Sequence, residues 1–344
     1  MEFQLLNPID YPDWDGLLLR SNNQSFFHTA GWAIVLEKTY RFKPLYFALD
    51  KGDQLVLLMP MMEIVSPLTG RRGVSLPFTD YCAPFSPDRS LLPSAMQSAL
   101  DFAETRKWRY IEWRAGEYFM ETTSPYEAFY THDIDLAKSE PGLFSALSDS
   151  CRRNIKKSIK EGVSIKAERS FGSIKSFYRL NCITRKRHGL PPQPFEFFKN
   201  IHEYVISKGN GIVVSAHYEG KMIAASIYFH FGSRAIFKYG SSDIGYQSLR
   251  PNNLVMWEAI RWYKNHGFAS MNLGRTEHDN PGLLQYKRSW GAKESALNYY
   301  RFDIRKKEYI AKRSDITKLY KWLFSRTPVS ILRAVGKLSY RHLA

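Results

Sequence analysis

The chain has 344 residues, of which 44% are hydrophobic and 15% aromatic, which excludes an intrinsically disordered protein and favours two domains. Lys and Arg number 49 against 33 Asp and Glu, and the net charge of +16 indicates a polyanionic partner: a nucleic acid, a phosphorylated substrate or an anionic membrane surface. The three cysteines lack metal-ligand spacing and favour a reducing compartment. Because there is no basic secretion signal and no run of ~18 apolar residues, we expect a cytoplasmic protein without a bound metal.

In the first half, short strands alternate with helices of apolar periodicity. The predicted elements are a strand at 3–6, a helix at 27–40, strands at 45–49 and 55–65, a helix at 91–108, and strands at 109–113 and 130–136. Gly52 and Asp53 separate the second and third of these strands and are typical of a hairpin turn.

The second half has the same alternation in a more complete form. Its predicted elements are a helix at 140–160, a strand at 163–167, helices at 171–187 and 194–208, strands at 212–218, 222–231 and 234–239, a helix at 254–265, a strand at 269–273, a helix at 283–290 and a strand at 297–304. This order predicts an α/β (α+β) fold in which mixed, mostly antiparallel sheets are flanked by helices. The first half is interpreted as a degenerate copy of the second.

Five segments, in this order and spacing, resemble the FemAB-like branch of the GNAT acyltransferase superfamily. They are FFHTAGW at 26–32, CRRNIKKSIKEGV at 151–163, TRKRHGLP at 184–191, NLGRTE at 272–277 and YKRSWGA at 286–292. The strongest similarity is to the FemAB-related proteins of bacterial surface-polymer systems. The resemblance implies two tandem GNAT-like domains, at 1–139 and 140–304, followed by a basic amphipathic helical tail at 305–344.

The resemblance also implies a function: transfer of an acyl or aminoacyl group to an amine of a cell-envelope precursor, either peptidoglycan or exopolysaccharide. The donor is expected to be aminoacyl-tRNA or acyl-CoA. The turn at 242–253 lacks the glycine-rich pyrophosphate-binding pattern and contains Pro251, which removes a backbone N–H donor and disfavours acyl-CoA. Two alternatives stay open: an acyl-CoA-dependent N-acyltransferase acting on a sugar or peptide amine, and a non-catalytic module that binds RNA or a membrane surface.

Lys287, Tyr286 and Arg275 are the candidate catalytic residues. In the family that this chain resembles, the lysine of an aromatic–Lys pair lies close to the acyl donor, and Lys287 follows Tyr286 in that position. A lysine there stabilises a developing oxyanion, and a tyrosine protonates the leaving group. Arg275 follows Gly274 at a predicted strand end and suits a phosphate or carboxylate. We expect loss of Lys287 or Arg275 to abolish turnover without lowering thermal stability. The alternatives are that Lys287 is an exposed lysine on an amphipathic helix and that Tyr286 is a core aromatic residue.

Substrate-binding candidates come from several segments. In the helix at 151–160, the spacing of Cys151, Ile155 and Ile159 predicts a buried stripe opposite five cations, a pattern that suits a polyanion, although a solvated basic face is the alternative. Trp32 and Tyr81 are either cleft or core residues. The complete set is Arg152, Arg153, Lys156, Arg185, His188, Trp32, Tyr81, Asn253 and Glu277.

The tail at 305–344 carries eleven Lys and Arg against Glu308 and Asp315. Apolar side chains recur in it at helical spacing, namely Ile316, Leu319, Trp322 and Leu323, and a second such run follows Pro328. A basic amphipathic helix containing Trp is typical of a membrane surface, and docking onto the first domain is the alternative. The expected partners are a tRNA donor, a nucleotide- or lipid-linked sugar or peptide acceptor, and the anionic inner face of the plasma membrane.

Overall fold

A computed structural model describes residues 3–116, 123–312 and 317–343. The helices are α1 (Trp14–Arg20), α2 (Ala30–Tyr40), α3 (Leu92–Thr105), α4 (Glu140–Ser145), α5 (Asp149–Lys160), α6 (Phe171–Arg187), α7 (Phe195–Ile201), α8 (Pro251–Asn265), α9 (Pro281–Arg288), α10 (Thr317–Arg326) and α11 (Val329–Ser339). The strands are β1 (Gln4–Leu6), β2 (Lys43–Pro44), β3 (Tyr46–Lys51), β4 (Gln54–Met59), β5 (Met62–Ser66), β6 (Gly70–Val74), β7 (Tyr110–Gly116), β8 (Glu127–Asp135), β9 (Ser164–Glu168), β10 (Gly211–Tyr218), β11 (Lys221–Phe231), β12 (Arg234–Ser242), β13 (Ser270–Glu277), β14 (Lys293–Asp303) and β15 (Glu308–Tyr309).

The chain divides into two compact units. The first unit comprises Met1–Tyr130, Ser295–Ser314 and Ser339–Ala344, and the second comprises Thr131–Glu294 and Asp315–Leu338. These limits differ from the three consecutive segments expected from the sequence, because β8, β14 and α11 each contain a residue at which one unit ends and the other begins. Each unit is therefore made of stretches that are not consecutive in the sequence.

The first unit contains a small antiparallel sheet of β1, β3 and β4, and a second group of strands in the order β2, β5, β6, β7, β14. Within that group only β6 and β7 pair in parallel. The predicted strand at 55–65 is two strands, β4 and β5, in different sheets, because Pro60 lies between them and lacks an N–H for a ladder. Helix α2 begins later than predicted because the Thr29 side chain caps it, accepting from Trp32 N.

The second unit is built on β9, β10, β11 and β12, which pair antiparallel, and on β13, which pairs in parallel with β12. Helices α6 and α8 contact these strands. The predicted helix at 140–160 is two helices, α4 and α5. Ser148 lies between them and caps the start of α5, because its side chain accepts a hydrogen bond from Cys151 N. The predicted fold class, mixed and mostly antiparallel sheets flanked by helices, is confirmed.

The tail contains the two helices α10 and α11. Leu332 and Gly336 of α11 are buried, whereas Trp322 and Leu323 of α10 are exposed. Ile316 lies outside the described residues, and so does the side chain of Leu319. In the first unit, a short turn after α11 is held by Arg72, which donates to the His342 carbonyl at 2.9 Å. Over the ranges that the structure describes, no helix combines the length and apolarity needed to cross a bilayer.

Two histidines are held uncharged in the core. Burial lowers the pKa of His28, in the first unit, to about 3, and that of His230, in the second, to about 4. His230 shares a 2.9 Å hydrogen bond between Nδ1 and the Tyr263 hydroxyl. An unfolded histidine titrates near a pKa of ~6.5, so the unfolded chain takes up protons first as the pH falls, and folding stability decreases.

We therefore expect the free energy of unfolding to decrease between pH ~6.5 and ~4, by up to about 3 kcal/mol for His230 alone. His230→Gln should be less stable than the wild type at neutral pH but should lose less stability over this range. Urea unfolding at several pH values measures both effects. A wild-type stability that is constant or rises on acidification would contradict the expectation.

Candidate functional site

The central feature of the second unit is the point at which two parallel strands separate. The paired register of β12 and β13 covers only Arg234–Ile236 and Ser270–Asn272. Beyond it, β12 continues beside β11 as far as the pairing of Ser242 with Ala224, while β13 runs on to Glu277. The carbonyl ends of both strands therefore border an opening in the sheet, which is where α/β proteins commonly bind ligands.

The opening is shaped by an irregularity in β13. Asn272 donates through Nδ2 to Thr131 Oγ1 at 2.8 Å and to Asp133 Oδ1 at 3.0 Å, and its own Oδ1 accepts from Gly274 N at 2.8 Å. Gly274 has a φ of +73°, a left-handed conformation that glycine adopts without strain. The left-handed conformation of Gly274 therefore interrupts the regular strand backbone shortly after Asn272, the last residue of β13 that pairs with β12.

Lys287 on α9 is buried at this irregularity. Its side chain is 3% exposed, and Nζ donates to the carbonyl oxygens of Gly274 and Arg275, each at 2.8 Å. A buried ammonium requires such acceptors, because its desolvation is otherwise too costly. The sequence prediction placed Lys287 at the donor site without predicting these bonds, and they mean that replacing Lys287 also removes a stabilising interaction.

A cavity of about 270 Å³ lies between α6, β11, β12, α8 and α9. Tyr286 and His188, two of the predicted residues, line it. Thr184 fastens its α6 wall to β12: the Thr184 hydroxyl donates to the Ser242 carbonyl at 3.2 Å and accepts from Ser242 N at 3.1 Å. The Ser241 hydroxyl, also in the lining, is buried and has no hydrogen-bond partner among the described residues. The cavity therefore offers polar groups to a small ligand.

Tyr286 presents its hydroxyl from α9 into this region. The hydroxyl donates to the carbonyl of Asn252 at 3.4 Å, and its ring packs edge-on against Trp290 with centroids 5.8 Å apart. Burial raises the pKa of Tyr286 well above that of a free tyrosine. The hydroxyl is therefore protonated at neutral pH and is a weaker acid than the hydroxyl of a free tyrosine.

A second polar group near α9 was not anticipated from the sequence. His132 Nε2 lies 2.9 Å from Glu294 Oε2, and Arg288 donates to both oxygens of Glu294 at 2.8 Å. The pKa of His132 is lowered overall, chiefly by burial and also by the charge of Lys287, although the hydrogen bond that the imidazole donates to Glu294 raises it. The Nδ1 atom of His132 has no partner in the described part of the chain. These residues join β8 and β14 to the helix that carries Lys287.

The remaining candidates near β13 and α8 differ in position. Arg275 is half-buried, and its carbonyl is one of the two acceptors of Lys287. Glu277 is exposed at the end of β13. Asn253 does not line the cavity and instead places Nδ2 3.8 Å from Cys151 Sγ, whereas its neighbour Asn252 does line it.

Helix α5 presents a basic surface, but its buried stripe is not the predicted one. Cys151 and Ile155 are buried as expected, but Ile159 is exposed and Ser158 is buried in its place. At about 100° per residue, position 158 lies about 20° around the helix from Cys151, whereas position 159 lies about 80° from it. Position 158 therefore falls on the buried face and position 159 does not. Among the cations, Arg152 donates to the carbonyls of Ser145 and Leu147 at 2.7 Å and is committed to joining α4 and α5. The exposed cations are Arg153, Lys156, Lys157 and Lys160.

Arg185 and His188 lie at the end of α6. Arg185 donates through Nε to the Pro191 carbonyl at 3.3 Å, which ties the helix to the proline-rich segment that follows. His188 is the C-terminal cap residue of α6, and burial together with Arg187 and Arg185 lowers its pKa. At neutral pH, His188 is therefore mainly uncharged, and Arg187 is the cation that lines the cavity.

Trp32 and Tyr81 belong to the first unit. Trp32 is fully buried against Phe26 and Phe27, with centroid separations of 5.7 and 5.6 Å. Tyr81 is half-buried and packs edge-on to Phe27 at 6.0 Å. Trp32 is thus a core residue, which is the alternative that the sequence left open. No group of three or more His, Cys, Asp or Glu able to hold a metal occurs in the part of the chain that the structure describes.

Sequence reasoning missed several lining residues: Thr184, Arg187, Ser241 and Asn252. Thr184 and Arg187 do lie inside the TRKRHGLP segment, so a signal was present, but it pointed to the neighbouring Arg185 and His188. Asn252 lies in the turn at 242–253, where the sequence prediction named the neighbouring Asn253 instead. Ser241 had no distinguishing signal, because serine at a strand end is common.

Residues 147–288, which contain the strand separation, Lys287 and the whole cavity lining, match the family model described as acetyltransferase (GNAT) domain. Among curated proteins, the chain is similar to the lipid II:glycine glycyltransferases of Staphylococcus saprophyticus, with 26% identity over 83 residues, and Staphylococcus aureus, with 25% over 81 residues. Each alignment covers 22% of this chain and only about a fifth of the relative, 20% and 19% respectively.

Solved structures are similar over a larger share of the chain. A crystal structure of FemX has a TM-score of 0.67 and 14% identity, covering 87% of this chain and 97% of that one. A tandem GNAT protein from the clavulanic acid biosynthesis pathway has a TM-score of 0.54 and 11% identity, covering 91% and 99%. At these identities the likeness shows the fold alone. Taken with the family model and the curated relatives, it confirms the predicted resemblance of this chain to the FemAB-like branch of the GNAT superfamily.

Proposed function

We propose that this protein transfers an acyl or aminoacyl group to an amine of a cell-envelope precursor. The observation that carries the proposal is the buried ammonium of Lys287, bound to two carbonyl oxygens where β12 and β13 separate, on the same helix as the cavity residue Tyr286. A fixed cation at such an opening suits a reaction that develops negative charge on oxygen. The part of the chain similar to glycyltransferases supports the aminoacyl form of this reaction.

In the proposed reaction, the acceptor amine attacks the ester carbonyl of the aminoacyl donor. A C–N bond forms and the ester C–O bond breaks. The departing oxygen takes a proton from Tyr286, and the proton that the amine loses passes through solvent to restore the tyrosine. The positive charge of Lys287 stabilises the tetrahedral oxyanion, and the protonated hydroxyl of Tyr286 supplies the proton to the leaving oxygen. Arg275 and Arg187 would hold a phosphate or carboxylate of the substrates.

We favour aminoacyl-tRNA over acyl-CoA as the donor. The exposed cations of α5, Arg153, Lys156, Lys157 and Lys160, form a basic surface that suits a phosphate backbone. In CoA-dependent relatives of this fold, a glycine-rich turn at a helix N-terminus holds the pyrophosphate. The corresponding helix here is α8, which follows β12 and starts with Pro251, a residue without an N–H to donate.

The acceptor is proposed to be a nucleotide- or lipid-linked sugar or peptide carrying a free amine. A protein acting on such a precursor would work on the cytoplasmic side of the membrane, and the basic tail would hold it in peripheral contact with the anionic surface. Trp322 and Leu323 support this proposal because they are large apolar side chains exposed in a cationic segment.

The donor can be identified with radiolabelled aminoacyl-tRNA and radiolabelled acetyl-CoA, each incubated with the protein and an amine-bearing peptidoglycan precursor. We expect label to pass from the tRNA to the precursor and ribonuclease to abolish the transfer. Ribonuclease-resistant transfer from acetyl-CoA would establish the acyl-CoA alternative. Binding of RNA without transfer of either label would favour the non-catalytic alternative.

Replacing Lys287 should affect both turnover and stability. Lys287→Met should lower the rate of transfer by about 100-fold or more and the free energy of unfolding by about 1–3 kcal/mol, because two buried carbonyls lose their donor. Rates and thermal unfolding are compared with Lys293→Met, which removes an exposed lysine. A Lys287→Met protein with wild-type turnover would refute the assignment of this residue.

The basic surface of α5 is tested through the salt dependence of tRNA binding. Lys156→Gln combined with Lys157→Gln should weaken binding and reduce the slope of log affinity against log salt by about 1–2, because phosphate contacts are lost. The control, Lys306→Gln with Lys307→Gln, removes the same charge from the short loop before β15. Equal slopes for the two double variants would show that α5 does not contact RNA.

A further inference from the structure

A second cavity, of about 420 Å³, lies away from Lys287 in the second unit. It is a groove with α11 on one side and α6 and the start of α7 on the other; we call it the tail groove. Arg333 and Lys337 line it from α11, and Tyr178, Phe195 and Glu196 line it from the opposite side. None of these residues takes part in the proposed transfer reaction.

The walls of the tail groove are held by close packing. Leu332 of α11 is fully buried, and Gly336, one turn further on, lies against the Pro191–Pro192 segment. A Cβ atom at position 336 would be 1.9 Å from the Pro192 carbonyl oxygen, so only glycine allows this approach. The groove is therefore a fixed feature of the fold and not a gap between loosely associated helices.

The charges in the tail groove select an anion. Arg333 and Lys337 are one helical turn apart, and the Arg333 guanidinium lies 5.5 Å from the centroid of the Tyr178 ring. Burial raises the pKa of Tyr178 to about 12, so this tyrosine is neutral. Glu196 is the carboxylate in the lining, and Lys199 lies 3.6 Å from it. The rings of Tyr178 and Phe195, with centroids 5.0 Å apart, supply an apolar floor.

An apolar stripe borders the groove on the outer side of α11. Ile331 is 52% exposed and Leu338 is 71% exposed, and positions seven apart lie on one face of a helix. This face lies about 130° around the axis of α11 from Arg333 and Lys337, and the groove residue Ala334 lies between the two. Exposed aliphatic side chains beside paired cations are typical of a surface that lies at a lipid headgroup boundary.

We infer that the tail groove binds the phosphate of an anionic phospholipid headgroup, with Arg333 and Lys337 on the phosphate and Ile331 and Leu338 at the acyl-chain boundary. The inference rests on the proposed function for the presence of a membrane, and it identifies which surface of the tail makes the contact. A soluble phosphate ester would share the phosphate chemistry but would not require the apolar stripe.

The test measures binding of the full-length protein to phosphatidylcholine vesicles with and without phosphatidylglycerol. We expect binding only with phosphatidylglycerol, and a roughly tenfold or greater loss in Arg333→Gln with Lys337→Gln. The charge-matched control, Lys43→Gln with Lys51→Gln, removes two exposed cations of the first unit and should lose less than about threefold, because those cations contribute only through the screened long-range field. Equal binding by the two double variants would overturn the inference.

Two further variants separate the groove from a general attraction of cations to lipid. Glu196→Gln should tighten vesicle binding, because it removes a negative charge beside the phosphate. Ile331→Ser with Leu338→Ser should weaken vesicle binding while leaving binding of glycerol 3-phosphate unchanged. If the protein binds glycerol 3-phosphate but no vesicle, the ligand is a soluble phosphate ester and the lipid assignment is wrong.

The aminoacyl-transfer assay, run with the acceptor in detergent micelles, keeps the two proposals apart. The Arg333→Gln and Lys337→Gln double variant should retain wild-type turnover there while failing to bind vesicles. If the wild-type protein transfers the aminoacyl group but does not bind vesicles, the groove assignment alone is refuted. Absence of transfer by the wild type, with vesicle binding intact, would refute the proposed function alone.

Discussion

The hydrogen bonds from the Lys287 ammonium to the carbonyl oxygens of Gly274 and Arg275 are the interaction on which the site depends. An ammonium that is 3% exposed is tolerated only because strand β13 is distorted to offer it two acceptors. The distortion in turn requires a glycine at 274 and the side chain of Asn272 that fixes it. Lys287, Gly274 and Asn272 thus depend on one another, and the loss of any one of them alters the contacts of the other two.

The large positive charge of the chain has more than one use. Arg152 joins two helices through backbone carbonyls, and in the first unit Arg114 and Arg301 both pair with the buried carboxylate of Glu112. Such cations hold the structure together and are not available to a polyanion. Exposed cations are densest on α5 and in the described part of the tail but also occur on many other elements, so net charge alone does not show which surface is offered to an anionic partner.

Elements with strong local signals were predictable from the sequence. Helix α6 has the predicted limits because Ser170 caps its start and Gly189 follows its end, and the hairpin of β10 and β11 follows from its apolar strands and the turn at Glu219 and Gly220. The burial of Lys287 was not predictable, because a lysine on a short amphipathic helix is ordinarily exposed and its acceptors lie a dozen residues away on β13. The same holds for the cavity, since Thr184, Ser241 and Asn252 meet only through tertiary packing.

The contact of Gly336 with the Pro192 carbonyl has a consequence for how the tail can change. Helix α11 packs at this position only because residue 336 has no Cβ atom. One added methyl group would therefore displace the helix without removing any apolar side chain from the cores. Attachment of the tail can therefore be lost by the smallest of substitutions while the catalytic fold is kept. Related proteins with a larger residue at this position would be expected to carry the tail elsewhere or to lack it.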